Sequence, residues 1–230
     1  FQQLYSMVDT IIVGRFVGVN ALAALGACNS LFFLVNGLVL GLTSGFAVLV
    51  AQKFGAKDEK GVKKAVASNI TLTIVLTVII TIVALLAVKP LLNMMNTPEN
   101  IYEDARVYIT LIYAGIFTQT AYNMAAGILR ALGDSKTPLY FLIVASILNV
   151  ILDLIFIINF NMGVAGAAYA TNIAQGVSAV LCFIYSYKKF KILRLKKEDF
   201  NAWGSSGLSI GTDGYLYSTD HCQGFFAKRD

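Results

Sequence analysis

Two aspartates, Asp9 and Asp153, lie inside long hydrophobic stretches. An ionised Asp at the centre of a bilayer costs about 2.5–3.5 kcal/mol on insertion scales, so such a side chain faces a cavity or a partner rather than lipid. Polar residues recur around both at helical spacing. Ser146, Asn149 and Asp153 are three and four residues apart and share one helix face. Thr171, Gln175 and Ser178 form a second such face, and Gln119 and Asn123 a third, with Tyr108 about three turns earlier on that side. Carboxylate, amide and hydroxyl oxygens are what a hard cation such as Na⁺ requires, and the same groups can hold a proton. Two carboxylates in one low-dielectric cavity cannot both ionise freely, so the pair is expected to share a proton or a monovalent cation. The alternative is structural: Ser, Thr and Asn also bind membrane helices to one another, and a buried carboxyl can lock helices by hydrogen bonds. Asn29, Asn36 and Thr43 recur every seven residues and are further candidates to line a cavity.

The elements that must position these groups follow from composition. The chain is 57% hydrophobic and 13% charged, with mean hydropathy +0.69, against about 25% charged residues in a soluble domain. Its 230 residues suit about six membrane crossings of roughly 20 residues each. Uncharged runs place the spans near residues 1–17, 30–52, 65–88, 107–129, 138–158 and 162–187, with a small-residue segment over 18–29. Barrel strands are excluded because the apolar runs are too long and do not alternate. The fold class is therefore an all-α integral membrane protein, a six-helix transmembrane bundle over residues 1–197. Residues 198–230 form a polar, Gly- and Ser-rich tail expected to be disordered or foreign to the bundle. The hydrophobic run that opens at Phe1 is read as a first span lacking its start. The spaced glycines Gly37, Gly41 and Gly45 suggest a face for close helix packing.

Charge sets orientation. Thirteen Lys and Arg fall on one face: Lys53, Lys57, Lys60, Lys63 and Lys64, then Arg130 and Lys136, then Lys188, Lys189, Lys191, Arg194, Lys196 and Lys197. Only Arg15, Lys89 and Arg106 fall on the other. The N-terminus and the segment after the sixth span are thus expected in the cytoplasm, in a multi-pass protein of the cell membrane. The basic residues set topology rather than grip phosphates, so no nucleic-acid partner is expected. No enzyme is indicated. His221 stands alone in the tail, Cys28, Cys182 and Cys222 form no CxxC pair, and no Gly-rich phosphate loop with its Lys is present. No cofactor is expected beyond H⁺ or Na⁺ as coupling ion.

The residues also carry a resemblance. Met7-Val8-Asp9-Thr10 through Gly14-Arg15-Phe16-Val17-Gly18, followed by Ala21 to Ala24, is similar to the first helix and following loop of the MATE (multidrug and toxic compound extrusion) transporters. Gly45 with Ala51-Gln52-Lys53-Phe54-Gly55-Ala56, Gly127 to Asp134 with Thr137-Pro138, Asn149 to Asp153, and Gly163 to Ala168 with Thr171 follow in the same order. The resemblance covers residues 1–197. It implies a twelve-helix transporter of two six-helix lobes, exporting organic, often cationic, compounds against H⁺ or Na⁺. In the branch with carboxylates in the N-terminal lobe it implies a cation site at Asp9, Asn149, Asp153 and Thr171, with Asn123 and Tyr108 nearby. Gln119, Gln175 and Asn36 are the other candidates for the cavity wall. The second lobe implied by the resemblance is absent, so the chain is expected to be a truncated or frame-shifted reading, or a half-size protein that dimerises. Its partners would be lipid, a small organic substrate, and a second lobe or a second copy. A lipid or polysaccharide flippase of related architecture and a non-functional fragment are the competing readings.

Overall fold

The computed structural model describes residues 2–193, with side chains from Met7 onward, Lys191 excepted. The tail over 198–230, with His221 and Cys222, and the basic residues Arg194, Lys196 and Lys197 lie outside the described residues. Seven α-helices follow in order: α1 (Gln2–Phe16), α2 (Val19–Gly55), α3 (Glu59–Met94), α4 (Glu99–Ala114), α5 (Ile116–Ala131), α6 (Lys136–Leu154) and α7 (Gly163–Lys189). A π-helical turn (Ile155–Asn159) extends α6, and a short 3-10 turn (Lys191–Leu193) follows α7. No strand occurs among the described residues. In hydrocarbon every backbone amide needs an internal partner, and helices supply one within each segment. Among the described residues four helices are long and apolar enough to cross a membrane: α2, α3, α6 with its π turn, and α7. Helices α4 and α5, separated by Gly115 alone, cover the stretch read from sequence as the fourth span.

The boundaries differ from the sequence reading where strong helix formers extend a span. Residues 19–29 are not a separate segment but the first three turns of α2, because the run is rich in Ala and Leu. Only Gly18 breaks the chain there, at φ 125°, a conformation that side chains resist. Helix α3 starts six residues before the expected span, capped by the Asp58 carboxylate, which accepts from the Gly61 amide at 2.9 Å. At about 1.5 Å per residue, α2 is about 55 Å long and projects beyond a hydrocarbon core of about 30 Å.

Packing is close on the inside and apolar on the outside. Cys28, Leu31, Val88, Leu92, Ile109 and Tyr113 form the core between α2, α3 and α4, where the Tyr113 hydroxyl donates to the Leu31 carbonyl at 3.1 Å. Ile74, Val78, Ile82 and Leu86 make an outward apolar stripe along α3, the surface that lipid solvates. No described element covers the glycine face of α2. Gly37, Gly41 and Gly45 are exposed, and a Cβ built on any of them would meet nothing within 4 Å. The close approach to α2 is made instead by Gly127 of α5, where a Cβ would lie 3.2 Å from that of Ala47. A small-residue stripe marks a smooth face, but it does not say which element covers it.

At the basic end the α5–α6 loop is tied to α7. Asp134 accepts from the Thr137 amide (3.1 Å), the Thr137 hydroxyl (2.9 Å), the Tyr185 hydroxyl (3.0 Å) and the Lys189 ammonium (2.7 Å). Partial burial pushes the Asp134 carboxyl up, but the Lys189, Thr137 and Tyr185 donors outweigh it and hold it well below the usual carboxylate range. A depressed folded-state value adds stability that is complete above the unfolded value of about 3.9 and fades as pH falls below it. Replacing Asp134 by Ala removes the carboxylate that caps the start of α6, and should cost about 1 kcal/mol at neutral pH. Thermal unfolding in detergent at pH 7 and pH 3 should show the full deficit at pH 7 and a smaller one at pH 3, the remainder fading only as pH falls further through the depressed folded-state value. An equal deficit at both values would contradict this role for the carboxylate.

Candidate functional site

Three helices bring four polar side chains together. Helix α1 contributes Asp9, α6 contributes Asn149 and Asp153, and α7 contributes Thr171. The Thr171 hydroxyl donates to Asp9 Oδ2 at 3.3 Å, and the Asn149 amide donates to Thr171 Oγ1 at 3.5 Å. The Asp9 and Asp153 carboxyls are immediate neighbours. All three helices are fixed around them by apolar contacts among Ile12, Val13, Leu25, Ile157, Val164 and Ala167.

Burial makes the cluster unusual. Asp9 is 4% exposed, Asn149 1% and Asp153 0%. Asp9 Oδ1, both carboxylate oxygens of Asp153 and Asn149 Oδ1 have no hydrogen-bond donor. Buried polar atoms are nearly always paired, because an unmatched one forfeits its hydration. Here the unmatched atoms are all acceptors and converge from two neighbouring residues of α6 and one of α1. Such an arrangement is electrically complete only with added positive charge. Its oxygen-only character suits a proton or a small hard cation.

The backbone just past Asp153 is also irregular. Helix α6 passes into a π turn, in which the Phe160 amide reaches back five residues to the Ile155 carbonyl at 3.2 Å. Gly166 of α7 lets this wider turn come close, since a Cβ there would lie 3.1 Å from that of Phe156. Single π turns recur at functional sites, where they shift the register of the side chains beside them.

Asp9 and Thr171 open onto a cavity of about 860 Å³ lined by residues of α1, α2, α4, α5 and α6, with Thr171 from α7. Phe32, Phe33, Tyr108 and Tyr122 give it aromatic walls, and Asn29, Asn36 and Asn123 give it amides. Gln119 meets this wall through Asn36, donating to its Oδ1 at 2.7 Å. Gln175 is buried on α7 and is not among the lining residues, and Thr43 turns inward to donate to the Val39 carbonyl at 2.8 Å. Ser146 likewise donates along its own helix, to the Leu142 carbonyl at 2.8 Å. At the end of the cavity away from Asp9 stands Arg130, exposed, with its Nε donating to the Ala126 carbonyl at 3.2 Å. Sequence reasoning placed Arg130 in a loop, because its position at the end of a hydrophobic run gave no sign that it turned toward the cavity.

Comparison with known proteins adds an independent finding. The family model described as MatE matches residues 1–155. The probable multidrug resistance protein YpnP of Bacillus subtilis (strain 168) is 32% identical over 213 residues, covering 91% of this chain and 47% of that protein. The crystal structure of MATE in the bent conformation superposes with a TM-score of 0.82 at 30% identity, covering 98% of this chain and 51% of that one. The inward-facing conformation of a multidrug resistance MATE family transporter of the MOP superfamily gives 0.78 at 29% identity, covering 93% and 50%. The chain spans about half the length of the proteins it matches.

The geometry predicts how Asp153 behaves on replacement. Exchanging it for Asn removes a carboxylate without a donor and keeps the shape. Unfolding temperature in detergent near neutral pH should hold or rise by about 2–4 °C, the shift expected for roughly 1 kcal/mol in a chain of this size. A marked fall would mean that the carboxylate is a structural lock between helices.

Proposed function

Since the chain belongs to the MatE family, a family of transporters rather than enzymes, we propose that it forms the N-terminal six-helix lobe of a secondary active exporter driven by H⁺ or Na⁺. The observation that carries this reading is the cluster of buried acceptor oxygens on Asp9, Asp153 and Asn149, adjoining Thr171. One monovalent ion entering that cluster from outside offsets one of its two negative charges and relieves the repulsion between the carboxyls. Its departure to the cytoplasm leaves the two carboxylates in mutual repulsion. An ion that binds one arrangement of the helices more tightly than another shifts the population between them, and only that differential affinity can drive the change. The free energy comes from the ion gradient.

The cavity supports an organic substrate with a flat apolar body. Aromatic rings cover such a body, and the acid end attracts a positive group on it. The basic loops between α2 and α3 and between α5 and α6, together with the basic end of α7, lie in the cytoplasm on this reading, since cytoplasmic loops of membrane proteins carry the excess of Lys and Arg. A second six-helix lobe, on the same polypeptide or supplied by a second copy, closes the cavity. The exposed edge of α2 bearing Gly37 and Gly41 borders the lining residues Phe33, Asn36 and Leu40 and offers it a smooth approach.

Arg130 favours a second reading. A guanidinium at one end of the cavity suits a substrate bearing an anionic headgroup, as a lipid or polysaccharide flippase would carry. The two separate experimentally. In membrane vesicles containing the exporter, an imposed H⁺ or Na⁺ gradient should drive release of an organic cation such as ethidium. Asp153→Asn and Asp9→Asn should each lower that rate at least about tenfold, the order expected when a gradient-driven shift is lost. Applying each gradient alone identifies the ion. Undiminished ion-driven efflux in both variants would reject the acid pair as the site, and gradient-independent movement of a lipid-linked anion would favour the flippase.

A further inference from the structure

The break between α4 and α5 has a cause that lies on α7. Gly115 stands alone between the two helices, and a Cβ built on it would overlap the side-chain amide of Asn172. That amide occupies the space a side chain at 115 would need. Its Nδ2 donates to the Leu111 carbonyl at 2.8 Å, the same carbonyl that takes the Gly115 amide at 3.1 Å. The Gly115 amide is shared with the Ile112 carbonyl at 3.1 Å, and the Gly115 carbonyl takes both the amide (3.0 Å) and the hydroxyl (2.8 Å) of Thr118. The Leu111 carbonyl thus serves both the helix and the inserted amide, and i→i−3 bonds tighten the backbone on either side of Gly115; a side chain inserted against the ladder is one of the few physical causes of a departure from regular helix. A glycine by itself weakens a helix but does not break it.

The residue before Asn172 is Thr171, which donates to Asp9. Consecutive residues of a helix point about 100° apart. One turn of α7 therefore holds the acid cluster with one residue and the α4–α5 break with the next. The two arms of that break both face the cavity, Tyr108 from α4 and Asn123 from α5. Contact between α7 and α5 stays close beyond the wedge, since a Cβ on Gly176 would touch Thr118 at 3.4 Å.

We propose that Asn172 is a positioning residue of the transport cycle: its amide, wedged at Gly115, passes a change at the Asp9–Thr171 contact to the angle between α4 and α5 and so to the cavity wall. The proposal rests on the ion-coupled reading given above. Binding at Asp9 alters what Thr171 must donate to, α7 shifts or turns slightly, and the Asn172 amide carries that displacement into the break between α4 and α5 at Gly115.

Hydrogen–deuterium exchange on the purified full chain in detergent tests this. The wild-type chain is compared with and without Na⁺ at constant pH, and with Asp9→Asn as the uncharged mimic of a protonated acid. Amides 112–118 should change their exchange rate on the order of fivefold between the charged and neutralised states. Asn172→Ala should abolish that change while peptides around Asp9 and Asp153 still respond. The proposal is overturned if residues 112–118 respond equally in Asn172→Ala, or if the acid-site peptides respond in the wild type and residues 112–118 do not. If neither region responds to Na⁺ or to Asp9→Asn, the ion-coupled reading falls, and this inference with it. A size swap guards against a folding artefact. Gly115→Ala should lower the unfolding temperature when Asn172 is present, and the double variant Gly115→Ala/Asn172→Ala should recover it, because the new methyl fills the space the amide leaves. No recovery would show that the amide is not the wedge.

Discussion

The structure depends on a shortage of positive charge at one buried point. Asp9 and Asp153 lie side by side, nearly inaccessible, with Thr171 as the one hydroxyl donor to Asp9 and none reaching Asp153. Left to protein groups alone, that point is electrostatically incomplete. Every other feature of the lobe can be understood as holding the point in place, keeping lipid away from it, or connecting it to a cavity. Apolar residues of α1, α2 and α7 fix the helices around it, and a π turn begins two residues after Asp153.

The bundle is irregular where function would need it to be. Long apolar helices in lipid have no hydrophobic drive to associate, so they rely on close backbone approach and on polar contacts between helices. Here these devices are local. Gly127 lets α5 meet α2, Gly166 lets α7 meet the π turn, and Gly115 makes room for the Asn172 amide. The first belongs to a part of the lobe tied down by the Asp134 cluster. The other two contacts fall on α7, at Gly166 and at Asn172, on either side of Thr171 in the chain. Regular helix thus supplies the frame, and the departures from it collect around the acid cluster.

Much of this was legible in the sequence, for physical reasons that can be named. The cost of a carboxylate in hydrocarbon singles out Asp9 and Asp153, and the helical period adds Asn149; Thr171 enters through its place on a polar face of the last span. The structure brings these four together. The all-α membrane class followed from low charge and unbroken apolar runs. Other features left no trace. Asn172 is one amide beside a Thr, and nothing in its spacing tells that it enters a neighbouring helix. The π turn sits in the ordinary apolar run Ile155–Asn159, and sequence periodicity does not register one extra residue per turn. The Gly37, Gly41 and Gly45 stripe was legible as a smooth face, but its partner was not, because pattern describes one surface and packing requires two. The α2 boundary was missed because residues 19–29 looked like a separate small-residue segment when their composition favours helix.

The central claim is that the acid pair takes up one cation and gives it back. Infrared difference spectroscopy of the purified chain in lipid observes this without substrate or transport, through the C=O stretch that only a protonated carboxyl shows. Lowering the pH should produce a single buried carboxyl band, absent in Asp9→Asn/Asp153→Asn, and if Na⁺ shares the site its addition at the same pH should remove the band. A chain that shows no such band at any pH, and no carboxylate change on adding Na⁺, would contradict the account at its root.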